Sequence, residues 1–474
     1  MAGVSDCRTE RTVGGDGMMD EFIRNVTEQI RCVKARAGVA KELSDHIEDQ
    51  AAAYEEAGES HEEAVAKAVR EMGDPVDVGV ELDRIHRPQT DFKMIGMAFA
   101  FSVAGLFVIS AMDGLAQYPE SFIRQCFVLL LSFGVMTGMY FLDYSFIGRY
   151  AYGTYVFVTV ALYIGLMYSA RHGAMPISFM LAYLYVPLYA GILYRLRGKG
   201  YSVIACGIGL QIVIMLLTNY LAVSRYAAIN IYMMCTVLLI IAVWKGWFAV
   251  NKKTATAIIA AHLLLAGILV IVGIIILWDG GGFREERLMA FIHPDQYAEG
   301  AGYIYMWIRR EWSAAKLIGA SESSFFIEGG LIRDSKSYLI GGPMSYPTTP
   351  FVFLQLICTY GIVAGLAMVV AFVAVIIRAF RIVRNQKNQL GFMISAACFM
   401  VFLVNCLEGV LINTGYCPVN SLQLPFVSYG ACTAMTYAAL IGLLLSIHRN
   451  ERIITDESVR RRPAWRLSIK LEKR

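Results

Sequence analysis

Apolar runs of eighteen or more residues recur through most of this chain. Each is long enough to cross the roughly 30 Å hydrocarbon core of a bilayer as a helix. Helices are also the natural spanning structure, because lipid offers the backbone no hydrogen-bond partners. The runs fall at about 94–112, 122–142, 151–169, 175–194, 201–222, 226–248, 255–278, 350–377, 390–411 and 424–447. The pattern predicts an all-α polytopic membrane protein with about ten transmembrane helices and a small cytoplasmic helical N-terminal domain. Composition agrees: 57% of the 474 residues are hydrophobic and only 17% are charged, against about 25% charged in soluble domains. Disorder, a collagen repeat and a small disulfide scaffold are excluded.

The net charge of +4 is mild, and the basic residues sit at span ends, so nucleic acid is not an expected partner. Arg149, then Arg195, Arg197 and Lys199, then Lys245, Lys252 and Lys253, then Arg378, Arg381, Arg384 and Lys387 occupy alternate loops. By the positive-inside rule these loops face the cytoplasm, which puts both termini inside and the long loop 279–349 outside. Loops of that length usually carry function. The tail, 450–474, adds Arg460, Arg461, Arg462 and Arg466. It reads as a positive-inside anchor, with anionic lipid headgroups as the alternative ligand. Seven cysteines (Cys126, Cys206, Cys235, Cys358, Cys398, Cys406 and Cys432) lie in apolar runs, Cys417 lies in an outer loop, and no CxxC occurs. They read as small hydrophobes.

Ahead of the spans, residues 1–18 show no periodicity and read as unstructured or as a mis-assigned start, with Met18 or Met19 as the alternative. The polar N-terminus lacks the charged-then-apolar form of a signal peptide. Residues 19–88 read as a cytoplasmic helical prefix domain. Phe22, Ile23, Val26, Ile30 and Val33 recur at helical spacing, and Leu43, Ile47 and Tyr54 mark a second helix that stops at Gly58. Ser60 with Glu63 forms a capping box for a third helix, which Gly73-Asp74-Pro75 ends. A short fourth helix carries Val76, Val80, Leu82 and Ile85. The run Glu42-Leu43-Ser44-Asp45-His46-Ile47-Glu48, followed by Gly73-Asp74-Pro75, resembles the HAAS-type prefix domains ahead of some permease-like proteins of Gram-positive bacteria. That implies a docking module, with His46 a helix residue rather than a metal ligand.

The motifs that narrow the class come late in the chain. Leu424-Pro425-Phe426-Val427-Ser428-Tyr429-Gly430 reads as the start of the last apolar helix, where proline costs little and free N–H groups can meet an anion. Upstream stand Arg287-Leu288-Met289-Ala290-Phe291-Ile292-His293-Pro294, Gly302-Tyr303, and Tyr346-Pro347-Thr348-Thr349-Pro350-Phe351-Val352-Phe353. Tyr360-Gly361-Ile362-Val363-Ala364-Gly365 and Asn413-Thr414-Gly415 follow. Their order, the ten-span topology and the large loop between spans seven and eight resemble the SEDS family of bacterial shape, elongation, division and sporulation proteins (the RodA, FtsW and SpoVE type). The resemblance covers about 93–449 and is most specific from Arg287 onward.

It implies a protein that polymerises glycan chains from lipid II at the outer membrane face, beside a single-pass transpeptidase (a penicillin-binding protein). It also implies a carboxylate base and a divalent cation that helps neutralise the leaving pyrophosphate. In the family pattern the base is the Asp of a Thr-Asp-Phe-Ile-Phe stretch. Here that stretch is Thr349-Pro350-Phe351-Val352-Phe353, so Pro350 stands in the Asp position and offers no proton acceptor. The Gly-Tyr-Gln pattern becomes Gly302-Tyr303-Ile304, and Ala431 replaces a glycine. Residues 416–423 are inserted before Leu424.

Glu408 is the expected replacement base, because a carboxylate near the outer end of a span is costly and marks function by default. A structural hydrogen bond to Asn405 or another interhelical partner is its other reading. Glu322, Glu328 and Asp334 are alternatives that read as solvated loop charges. Arg287, Tyr303, Ser428, Tyr429 and Gly430 are the expected substrate-binding residues, with Arg287 suited to a pyrophosphate. His262 in span seven reads as a packed, hydrogen-bonded histidine. No zinc-spaced cluster, phosphate-binding GxxxxGK[ST] loop or Ser-His-Asp set is visible in the sequence. Pro350 keeps a non-catalytic scaffold or regulator of a cell-wall synthase in play, and Glu408 with many in-helix glycines permits a lipid-linked precursor transporter.

Overall fold

The structure, a computed structural model, describes residues 15–110, 119–171, 177–222, 224–276, 283–298, 300–321, 351–420, 422–428 and 430–454. Among these every regular element is helical. The chain divides into two compact units, Met1–Thr90 with Arg449–Arg474, and Asp91–His448.

The first unit holds α1 (Gly15–Gln29), α2 (Val33–Glu56), α3 (His61–Glu71) and α4 (Pro75–Ile85). Val26, Ile30, Val39, Ile47, Ala64 and Ala68 form its core. The capping box opens α3 as expected, with the Glu63 N–H donating to Ser60 Oγ. Asp74 caps α4 through the Val76 N–H at 2.7 Å, with Pro75 in the first turn. The expected first helix through Val33 is instead broken after Gln29, and Val33 opens α2 at 73% exposure. The reason is local capture of the backbone. The Arg31 N–H donates to Asp83 Oδ1 (2.8 Å) and Arg36 Nε donates to the Ile30 carbonyl (2.8 Å), so these groups leave the helical ladder. α1 also reaches back to Gly15, into residues read as unstructured.

The second unit begins with α5 (Phe92–Ser110), α6 (Pro119–Phe141), the short α7 (Ser145–Arg149) and α8 (Ala151–Arg171). A 3-10 segment (Ile177–Leu184) leads into α9 (Tyr185–Leu196), followed by α10 (Ser202–Leu221), α11 (Arg225–Trp244) and α12 (Lys252–Ile276). After it come α13 (Phe283–Ile292), α14 (Tyr303–Ala314), α15 (Val352–Tyr360), α16 (Ile362–Asn385), α17 (Gln389–Asn413) and α18 (Ala431–Arg449). Nine helical segments among the described residues are long and apolar enough to cross a membrane, and α5 adds a shorter apolar stretch, Phe92–Phe107. The protein is an integral membrane protein. α9, α11, α17 and α18 are mostly buried, whereas α8 and α12 present most of their surface outward. That split marks which helices build the interior and which meet lipid. Gly442 lets α18 close on α6: a Cβ there would lie 2.6 Å from the Met136 carbonyl.

The run expected as one helix over 350–377 is two. The break is Gly361, at φ +97° and ψ 170°, a region open only to glycine. A Cβ at Gly361 would sit 2.6 Å from the Leu317 carbonyl. The chain after α14 passes there, with the Ile362 N–H donating to the Lys316 carbonyl at 2.9 Å. Gly361→Ala is expected to destabilise the protein by about 1–3 kcal/mol from backbone strain, read as a lower unfolding temperature in detergent. An unchanged temperature would contradict this account of the break.

Candidate functional site

The site lies at the end of the bundle where α17 finishes and α11 begins. Glu408 stands five residues before the α17 terminus at Asn413. Its Oε2 accepts from Asn230 Nδ2 of α11, and its Oε1 accepts from Asn420 Nδ2 at 2.6 Å. Asn230 also lies within hydrogen-bond reach of the Tyr183 hydroxyl. Both carboxylate oxygens therefore accept from neutral amide donors. Glu408 is half-buried, which leaves it open to a small reactant. Among the described residues no three His, Cys, Asp or Glu side chains come together as a metal site.

Arg287 is exposed on α13. Tyr226, at the start of α11, lies within electrostatic range of Tyr305, Cys417, Arg287 and Glu408. The structure thus brings Arg287 and Glu408, far apart in sequence, around one tyrosine. The Tyr305 ring meets Phe291 of α13 edge-on at 5.5 Å. Its hydroxyl accepts the Val419 N–H at 3.1 Å. Burial pushes the Tyr305 hydroxyl above its ordinary value, the Val419 N–H opposing it. Burial, then the Glu408 charge, likewise push the Cys417 thiol up.

Tyr303 is half-buried as the first residue of α14. Gly302 before it has a packing role, since a Cβ would come within 2.4 Å of the Pro294 carbonyl. α14 also supplies Glu311, a carboxylate at 7% exposure that accepts from Cys358 Sγ of α15 at 3.4 Å. Asn413 ties the α17 terminus to both helices: its Oδ1 accepts the Leu354 N–H (2.9 Å) and its carbonyl accepts Trp312 Nε1 (2.9 Å).

The segment expected to open the last helix is a turn instead, and α18 starts at Ala431. Phe426 at φ +63° and Gly430 at φ +141° are incompatible with a helical start. Ser428 is buried, and its Oγ accepts the Leu424 N–H at 2.9 Å, which closes the turn. The Gly430 N–H donates to Gln125 Oε1 of α6 at 3.3 Å. Both backbone and hydroxyl groups are thus engaged within the protein. Tyr429, Pro350, Glu322, Glu328 and Asp334 lie outside the described residues. His262 pairs with the Tyr232 hydroxyl at 2.7 Å, the packed arrangement expected of it, and His46 is exposed on α2.

Asn230, Asn420, Tyr226 and Tyr305 carry no motif and were not legible as site residues. An asparagine in an apolar run, such as Asn230, was the one available signal. Glu311 sits in Ile308-Arg309-Arg310-Glu311, which reads as a solvated face.

The sequence pattern of the FtsW/RodA/SpoVE family, cell cycle proteins, matches residues 212–453, just over half of the 474. The chain belongs to this family. Stage V sporulation protein E of Bacillus subtilis (strain 168) is 23% identical over 193 residues, 40% of this chain and 49% of that protein. Peptidoglycan glycosyltransferase MrdB of Escherichia coli (strain K12) is 23% identical over 195 residues, 41% of this chain and 49% of that protein. The chain thus spans about half the length of the curated relatives it matches. A solved chain from a peptidoglycan synthase complex that coordinates polymerization and crosslinking covers 76% of this chain and 98% of itself, at TM-score 0.56 and 17% identity. That likeness extends the family fold beyond the matched half, into the earlier spans.

Proposed function

We propose that this SEDS-family protein works in peptidoglycan assembly for cell shape, division or sporulation, polymerising glycan from lipid II at the outer membrane face. Family membership and a relative named as a peptidoglycan glycosyltransferase support the substrate class. The observation that carries the reading is the Glu408 cluster, with Arg287 and Glu408 each within electrostatic range of Tyr226. Glu408 takes the proton from the acceptor sugar hydroxyl as that oxygen attacks the donor's anomeric carbon. The bond from that carbon to the lipid pyrophosphate breaks, and the Arg287 guanidinium meets the departing charge. A divalent cation, which the resemblance implies, has no carboxylate cluster to hold it among the described residues, so no step is assigned to it.

Both termini then face the cytoplasm, where the prefix domain serves as a docking module. A single-pass transpeptidase is the expected membrane partner, as the solved relative's complex suggests. Pro350 favours a second reading, a non-catalytic scaffold that grips lipid II without consuming it.

Lipid II added to the purified protein separates these. At 100 times its dissociation constant a ligand stabilises by about 2.7 kcal/mol, so an upward shift in unfolding temperature is expected, followed by consumption of lipid II. Binding without consumption would favour the scaffold, and neither would overturn both. Arg287→Lys keeps the charge but loses the two-pronged phosphate geometry. It is expected to raise KM for lipid II about tenfold, one planar contact's worth. An unchanged KM would remove Arg287 from the site.

A further inference from the structure

We infer that the segment 414–420 is a strap that positions the Glu408 carboxylate, with Asn420 and Tyr305 as its two working anchors; this rests on Glu408 acting as the base. At one anchor the Val419 N–H donates to the Tyr305 hydroxyl at 3.1 Å. At the next residue Asn420 Nδ2 donates to Glu408 Oε1 at 2.6 Å. The Asn420 amide cannot turn round, because its Oδ1 accepts the Leu422 N–H at 2.7 Å. Its donor side is therefore fixed toward Glu408.

A continuous series of contacts results. Phe291 of α13, the helix that carries Arg287, packs on Tyr305. Tyr305 holds Val419, and Asn420 holds Glu408 against Asn230 of α11. The group assigned to the leaving pyrophosphate and the group assigned to the acceptor proton are thus held in one register by the strap. Preorganisation of this kind acts on the chemical step more than on binding. The strap overlaps the stretch read as an insertion, 416–423, so the chain that departs from the family pattern also supplies the donor that the relocated carboxylate needs. Asn420 touches no reacting atom and is a positioning residue.

Asn420→Asp is the selective variant. It keeps the size and the acceptor for the Leu422 N–H, so the turn survives; it removes the donor to Glu408 and sets a like charge beside it. The expected result is a fall in kcat for lipid II polymerisation of about tenfold or more, as for loss of a charge-assisted hydrogen bond, with KM within about twofold. Tyr305→Phe, which releases Val419, is expected to lower kcat in the same direction by about threefold, a neutral hydrogen bond's worth. In a Glu408→Gln background Asn420→Asp should leave the residual rate unchanged, because a residue that acts through Glu408 has nothing left to position. Wild-type kcat in Asn420→Asp, or an equal further loss in the Glu408→Gln background, overturns the strap alone. A wild-type protein that makes no glycan overturns the functional reading, and the strap with it.

Discussion

Glu408→Gln is expected to lower polymerisation to a small residual rate while leaving lipid II binding in place. General-base catalysis contributes about 10²–10⁴-fold, so a loss of at least about a hundredfold in kcat is expected. Glutamine keeps the shape of the side chain, and its carbonyl can still accept from Asn420 or from Asn230, the two donors that hold the carboxylate. The fold therefore survives, and the unfolding temperature in detergent should stay within a few degrees. Glutamine cannot take a proton from the acceptor hydroxyl, which is the function at stake. Retained turnover in Glu408→Gln would return this carboxylate to a structural role and send the search for a base to Glu311, buried against α15.

Arg378→Met is expected to be the most destabilising change at the other end of the bundle. Arg378 Nε of α16 donates to Asp91 Oδ2 at 2.6 Å, with side-chain exposures of 27% for the arginine and 1% for the aspartate. Asp91 Oδ1 also accepts the Met94 N–H at 3.1 Å, capping α5. Removing one partner of a buried pair costs about 3–5 kcal/mol, because the other charge is left without compensation. The asymmetry in exposure says which removal costs more. Asp91→Asn leaves an arginine that can reach water, whereas Arg378→Met strands a carboxylate that cannot. The unfolding temperature should therefore fall further in Arg378→Met than in Asp91→Asn, and the reverse order would contradict the assignment.

Acid should act on the same pair. Burial alone would raise the Asp91 carboxyl, but the Arg378 hydrogen bond, the Met94 N–H and the Arg378 charge together hold it below its ordinary value. A group depressed in this way adds stability above the unfolded value of about 3.9 and loses it as pH falls through the lower folded value. The pair is thus intact throughout the neutral range, and only strong acid releases it.

The spans were legible because lipid imposes one rule on every segment: twenty apolar residues in a row have few alternatives to a helix. The breaks inside them were not. Gly361 reads like any in-helix glycine until the Leu317 carbonyl is seen against it. Phe426 is a helix-compatible residue that nonetheless stands at φ +63°. A Cβ on Gly105 would come within 2.8 Å of its carbonyl. Val33 fits the α1 periodicity, yet Asp83 and Arg36 take the backbone groups that would have continued the helix.

The candidate site divides in the same way. Glu408 was legible because a lone carboxylate in a span is costly wherever it goes. Its partners were not, since Asn230 lies 178 residues away and nothing local announces the pairing. Asn420 was visible only as part of an insertion, whose use depends on how the chain folds back over α17. Ser428 and Gly430 stand out in the motif, but the turn they build uses their polar groups internally.

The central claim is that this protein makes glycan with proline in place of the family's aspartate. Purified protein supplied with lipid II, beside a relative that keeps the Thr-Asp-Phe stretch, measures this directly through the length of the products. Chains of glycan from both proteins are the predicted result. Chains from the relative alone, with lipid II left intact by this protein under the same conditions, would contradict it.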